Sequence, residues 1–202
     1  MATTQVDKSG PLASAQWRSW VRSHPLGSIL IAGLVATWMA TLTGSFYNAI
    51  GLPQINWPQF TGTLVLNEAA AAREIGTNSA ASWGAGILMH TVDGVIFALL
   101  FAVMLWRKIP LPNTTGGNVG KALIYSWVLG LISIGILIPY VYLPKLGLDP
   151  FAFGFDGVLF QNTGVHGLFT EYADIGWKLP FAVMLWHTVY GFFLGTLYDP
   201  SD

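Results

Sequence analysis

Charge is scarce in this chain: Asp, Glu, Lys and Arg make up 9% of its 202 residues, against roughly 25% in an ordinary soluble domain. With 53% hydrophobic residues and a mean hydropathy of +0.54, a water-soluble globular fold is not expected. The disordered class, which needs the opposite composition, goes with it. Net charge is −1, nine basic residues against ten acidic ones, so no electrostatic footprint for nucleic acid exists. Cysteine is absent, which removes disulfides, thiolate metal or iron–sulfur sites and thiol catalysis. No P-loop, dinucleotide fingerprint, G-x-S-x-G or H-E-x-x-H occurs either, and an enzyme is not indicated.

Long apolar runs are what the chain has instead. A bilayer core of about 30 Å takes roughly 20 residues of helix. Four runs reach that length: Leu26 to Ile50, Ala122 to Leu143 and Leu179 to Tyr198 carry no charge, and Ala80 to Trp106 carries only Asp93. The first is too long, and its polar leader too extended, for a signal peptide. The expected architecture is all-α, a bundle of four transmembrane helices made of two tandem hairpins with long outer loops. Residues 1–25 form an N-terminal interfacial segment and 26–199 the membrane domain, with spans at about 26–50, 80–106, 122–143 and 179–198. Lys8, Arg18, Arg22, Arg107, Lys108 and Lys121 lie on the side of the termini, and Arg73, Lys145 and Lys178 on the other, so the positive-inside bias puts both termini in the cytoplasm. Trp17 and Trp20 beside Arg18 and Arg22 suit an interfacial segment ended by Pro25, and His24 a cap or headgroup contact. Trp57, Trp83, Trp106 and Trp177 fall near span ends, where amphipathic rings anchor at headgroups.

The outer connections, 51–79 and 144–178, are long enough to suggest ordered, functional loops. Thr61 to Ile75 has helix-forming composition and is expected to lie along the membrane surface. Phe151, Phe153 and Phe155 in the second loop suit insertion into the interface, contact with a partner, or a plug over the bundle mouth. His166, with Glu171 and Asp174 nearby, is either an exposed loop histidine or part of an external metal or partner site.

An internal repeat ties the spans together. His90-Thr91-Val92-Asp93-Gly94 matches His187-Thr188-Val189-Tyr190-Gly191, and Ala98 matches Gly195. Upstream, Gly27 to Ile31 aligns with Gly120 to Ile124, and Leu52-Pro53 with Leu143-Pro144. A unit of two spans makes both halves enter the membrane in the same direction, with a pseudo-twofold axis along its normal. His90 and His187 are then equivalent and equally deep, roughly 12 Å from the outer end of their spans. Residues four apart share a helix face, so Gly86, His90, Gly94, Ala98 and Ala102 form one stripe. Val183, His187, Gly191 and Gly195 form its counterpart, and Ala32, Ala36, Ala40 and Gly44 a similar row with Thr37, Thr41 and Ser45 alongside. Small-residue rows let helix backbones approach closely, so a tight bundle with both histidines inward is expected.

The glycine-led first span, the Gly51-Leu52-Pro53 turn, His-x-x-x-Gly in spans 2 and 4, and the ending Gly191 to Asp199 resemble a group of bacterial four-helix inner-membrane proteins known as a domain of unknown function. The likeness covers most of residues 27–199. It implies the four-helix fold and a location in the bacterial inner membrane, and carries no activity; the aromatic loop at 150–178 is longer than that group's pattern.

The inward polar set is His90, Asp93, His187 and Tyr190, with Thr91 and Thr188 nearby. A carboxylate near the bilayer midplane is costly, and such a residue has a partner or a task. Four roles stay open. The set is a hydrogen-bonded cluster fixing helix register, with Asp93 accepting from His187 or Tyr190, in an accessory or structural subunit of a membrane complex or a homo-oligomer. Or His90 and His187 ligate a haem b, with Gly94 and Gly191 making room for the macrocycle, or one of them a chlorin, in an electron-transfer protein. Or His90, Asp93 and His187 hold zinc or copper, completed by Tyr190, Met89 or water. Or the set relays protons or ions. The haem and metal arrangements exclude each other: if Gly94 and Gly191 touch, no porphyrin fits between the histidines.

Overall fold

A computed structural model describes residues 15–52, 57–66, 80–142 and 178–201. These are all helical apart from short turns. In chain order the helices are α1 (Ala15–Ser23), α2 (Pro25–Gly44), α3 (Trp57–Leu66), α4 (Ala80–Leu100), α5 (Thr115–Ile132) and α6 (Lys178–Leu197). α4 continues as a π-helical turn over Phe101–Leu105, and α5 as a π-helical stretch over Ser133–Tyr142. Four of these helices, α2, α4 with its extension, α5 with its extension, and α6, are long and apolar enough to cross a membrane.

Two span boundaries differ from the sequence expectation. The first helix stops at Gly44, and residues 47–50 form a 3₁₀ turn closed by Gly51, whose φ of +77° favours glycine. α5 begins seven residues before Ala122, at Thr115, where the Thr114 hydroxyl accepts from Gly117 N–H at 3.1 Å. Lys121 does not interrupt the span because its amine is satisfied by the preceding connection, donating to Asn113 Oδ1 at 2.6 Å and sitting 4.5 Å from the centre of the Trp106 ring.

α2 packs on both α4 and α6, α6 packs on α5, and α3 lies along α4. The circuit closes where Phe101 stacks on Tyr125 and the Tyr125 hydroxyl donates to Phe97 O at 2.8 Å. The small-residue rows are buried as expected, but not against each other. A Cβ on Gly94 would come 1.8 Å from Thr37 Oγ1 on α2, and one on Gly191 would come 2.8 Å from Ala122 O and Ser126 Cβ on α5. Each glycine thus seats its helix on the preceding span, and the contact of Gly94 with Gly191 that would have barred a macrocycle is not made.

One end of the bundle is locked by polar contacts. Asn118, fully buried, accepts from Trp106 Nε1 and donates to the carbonyls of Gly195 and Tyr198. Asp199 accepts from Thr115 Oγ1 at 2.7 Å and from Ser201 N–H at 3.1 Å. α1 joins this end through Trp17 Nε1 donating to Leu197 O and Arg22 donating to Ser201 O, so Trp17 is a packing residue as much as an interfacial one. His24 makes no side-chain N-cap bond to α2; its ring stacks on Trp20 and its Nδ1 lies 3.3 Å from Trp20 O in the last turn of α1. Trp106 and Trp57 are buried rather than displayed at headgroups, and only Trp83 is exposed as expected. Trp177, Phe151, Phe153, Phe155, His166, Glu171 and Asp174 lie outside the described residues, as does the 67–75 part of the helix expected from Thr61. Its described part, α3, starts earlier and hugs α4, where a Cβ on Gly86 would come 1.8 Å from Pro58 O.

Candidate functional site

Away from the locked end, α4, α5 and α6 diverge around a cavity of about 280 Å³, with α3 closing one side. Its wall holds Trp57 and Thr61 from α3; His90, Asp93, Gly94 and Phe97 from α4; Leu129, Ser133, Leu137 and Val141 from α5 and its extension; and Trp186, His187 and Tyr190 from α6. The whole inward set expected from the sequence therefore lines one space. The π-helical stretch begins at Ser133, on the wall, and contains Pro139, which has no N–H to continue a regular ladder. Such irregular turns are common beside functional sites.

Each histidine is oriented by hydrogen bonds that also fix which nitrogen is bare. Thr41 donates its hydroxyl proton to Thr37 O at 2.8 Å, so at 2.7 Å from His90 Nε2 it acts as acceptor. With the hydroxyl proton on Thr37 O, the neutral His90 ring carries its own proton on Nε2 and a lone pair on Nδ1. His187 is the reverse: Nδ1–H donates to Val183 O at 2.8 Å, and Nε2 keeps its lone pair, with only a long 3.5 Å contact to Ser133 Oγ.

Trp186 joins the two. Its ring centre is 5.7 Å from that of His90 and 5.0 Å from that of His187, and it stacks parallel on Tyr190 at 6.0 Å and edge-on to Trp57. Although Trp186 is only 7% exposed, its Nε1–H has no hydrogen-bond partner among the described residues. A buried N–H without an acceptor costs about 1–3 kcal/mol. Nothing in the sequence singled out Trp186 among nine tryptophans, nor Thr41 and Ser133 as partners of the histidines.

The expected pairing of Asp93 is not made. Tyr190 donates to the Gly94 carbonyl at 2.7 Å instead, linking α6 to α4 and removing its hydroxyl from any ligand set. The Asp93 side chain, half-buried, has no hydrogen bond or ion pair among the described residues. No group of three His, Asp or Glu side chains that could hold a metal ion occurs among them either, so His90, Asp93 and His187 share a cavity without forming a ligand triad. For a bis-imidazole haem, His90 offers only Nδ1, and the Trp186 indole lies against both rings; His187, with Nδ1 anchored and Nε2 bare, is the better-prepared single ligand.

No family model matches the chain, and neither a curated protein nor a solved structure is similar to it.

Proposed function

We propose that the chain is a non-catalytic four-span membrane protein, two tandem hairpins, that binds a small molecule in its intramembrane cavity. One observation carries this: polar groups on the wall do not satisfy one another. Among the described residues, Trp186 Nε1–H and Asp93 have no partner and His187 Nε2 has only a long contact to Ser133 Oγ, all on the wall of a space of about 280 Å³, near the lower end of ligand pockets. A register-fixing cluster in an accessory subunit would pair these groups with each other. The tandem arrangement is supported by the parallel seating of Gly94 on α2 and Gly191 on α5, and by each histidine meeting a hydroxyl of the preceding span. The outward faces, with Leu88 68% and Val103 76% exposed, suit acyl chains without a protein partner. The basic-residue bias supports cytoplasmic termini, and the resemblance drawn from the sequence motifs suits a bacterial inner membrane.

Native mass spectrometry of the full chain released from lipid nanodiscs tests the proposal. It predicts a small-molecule adduct at one per chain, lost or reduced in Trp186→Ala. A mass accounted for by polypeptide and lipid alone in both proteins overturns it.

A further inference from the structure

The chemistry of the wall narrows what the cavity can take, an inference that rests on the ligand-binding proposal above. Tyr190 donates to Gly94 O, and the polar groups left on the wall are the Asp93 carboxylate, the two imidazoles and the indole N–H of Trp186, with Trp57 beside it. Asp93 is the only formally charged residue of the described lining, and no cation among the described residues sits on it. A carboxylate without a counter-charge is costly in a membrane interior. The remaining wall is aromatic and aliphatic, with Trp186, Trp57 and Phe97 lining the same space.

We propose that this cavity is a site for a small organic ammonium ion, a protonated amine on an aromatic or apolar body, with its N–H groups on Asp93 and the histidine lone pairs and its charge against indole faces. An anion would meet the Asp93 carboxylate and no basic side chain. A cation supplies the counter-charge that Asp93 lacks among the described residues, and tryptophan is the ring that best attracts it.

The test is equilibrium dialysis of the full chain in nanodiscs against labelled phenethylammonium, its neutral isostere 2-phenylethanol, and phenylacetate. Protein-free nanodiscs correct for partition into lipid. Wild type is expected to hold the ammonium about tenfold more tightly than the alcohol, and phenylacetate more weakly still. Asp93→Asn, close to isosteric, should lose about tenfold for the ammonium while leaving the alcohol within about twofold; Asp93→Glu should retain most of the preference. A thermal melt of each variant confirms that it is folded. Equal binding of ammonium and alcohol, or ammonium binding unchanged in Asp93→Asn, overturns the cation assignment and leaves the cavity's role as a binding site standing. Absence of binding by all three probes overturns the cation assignment as well, and the mass-spectrometric adduct then decides separately whether the ligand-binding proposal survives.

Discussion

Trp186 shows how single residues divide between stability and function in this protein. Its ring packs on both histidines, while its N–H is buried without an acceptor, so Trp186→Phe keeps most of the packing and deletes the unpaired donor. The ligand-free variant is expected to melt at or above the wild-type temperature, a gain of up to about 1 kcal/mol, and to retain less of the bound adduct. A clear loss of stability in the ligand-free protein would mean that the N–H already has a partner. Glycine positions give the opposite sign. Gly94→Ala drives a methyl into Thr37, whose hydroxyl is tied to Gly33 O at 2.7 Å and cannot swing away freely, and should cost about 1–3 kcal/mol in thermal or denaturant unfolding. Gly191→Ala, with nearest atoms at 2.8 Å rather than 1.8 Å, should cost less. At this scale the sequence made the small-residue stripes, His90, His187 and Asp93 legible, because spacing alone puts them on one face. Trp186, Thr41 and Ser133 were not legible, since each lies on a different helix from the group it orients or contacts, or beside it in sequence on a face that periodicity does not mark.

At the scale of helices, spacing and hydropathy located all four long elements, and missed mainly where a polar residue is satisfied inside the bundle. A boundary drawn by charge stops at Lys121, yet Asn113 and the Trp106 ring accommodate the amine and the helix runs through it. Trp57 and Trp106 were misplaced for a related reason: a tryptophan at a span end serves a headgroup or a neighbouring helix equally well, and only tertiary packing decides. The Asn118 lock joins α5, the end of α4 and the C-terminal turn through three hydrogen bonds, none of which a leucine can make. Asn118→Leu leaves Trp106 Nε1 and the Tyr198 carbonyl without this partner and should destabilise by about 1–3 kcal/mol per stranded group. Thr115→Val, which removes one partly exposed contact to Asp199, should shift the melting temperature far less. Equal shifts in the two variants would contradict the lock.

For the whole molecule, the arrangement is a bundle tied at the end where α1, the α4–α5 connection and the C-terminal turn meet, and opened by a cavity away from it. The absence of native cysteine makes accessibility mapping clean, since any introduced thiol is unique. Ser23→Cys and Pro112→Cys, both exposed at the tied end, should be labelled by a membrane-impermeant maleimide from one side of sealed vesicles, and Phe46→Cys, 64% exposed beyond α2, only from the other. Labelling of all three from the same face would break the four-span topology. The central claim is that the histidines leave hydrogen-bonding capacity facing a shared cavity, and ¹⁵N NMR of imidazole-labelled protein measures it most directly, with four histidines assigned by single substitution. That claim predicts opposite tautomers in the ligand-free protein, His90 protonated at Nε2 with Nδ1 bare, and His187 protonated at Nδ1 with Nε2 held at most by the long Ser133 contact. Finding both nitrogens of both rings hydrogen-bonded, the signature of a closed cluster, would contradict it.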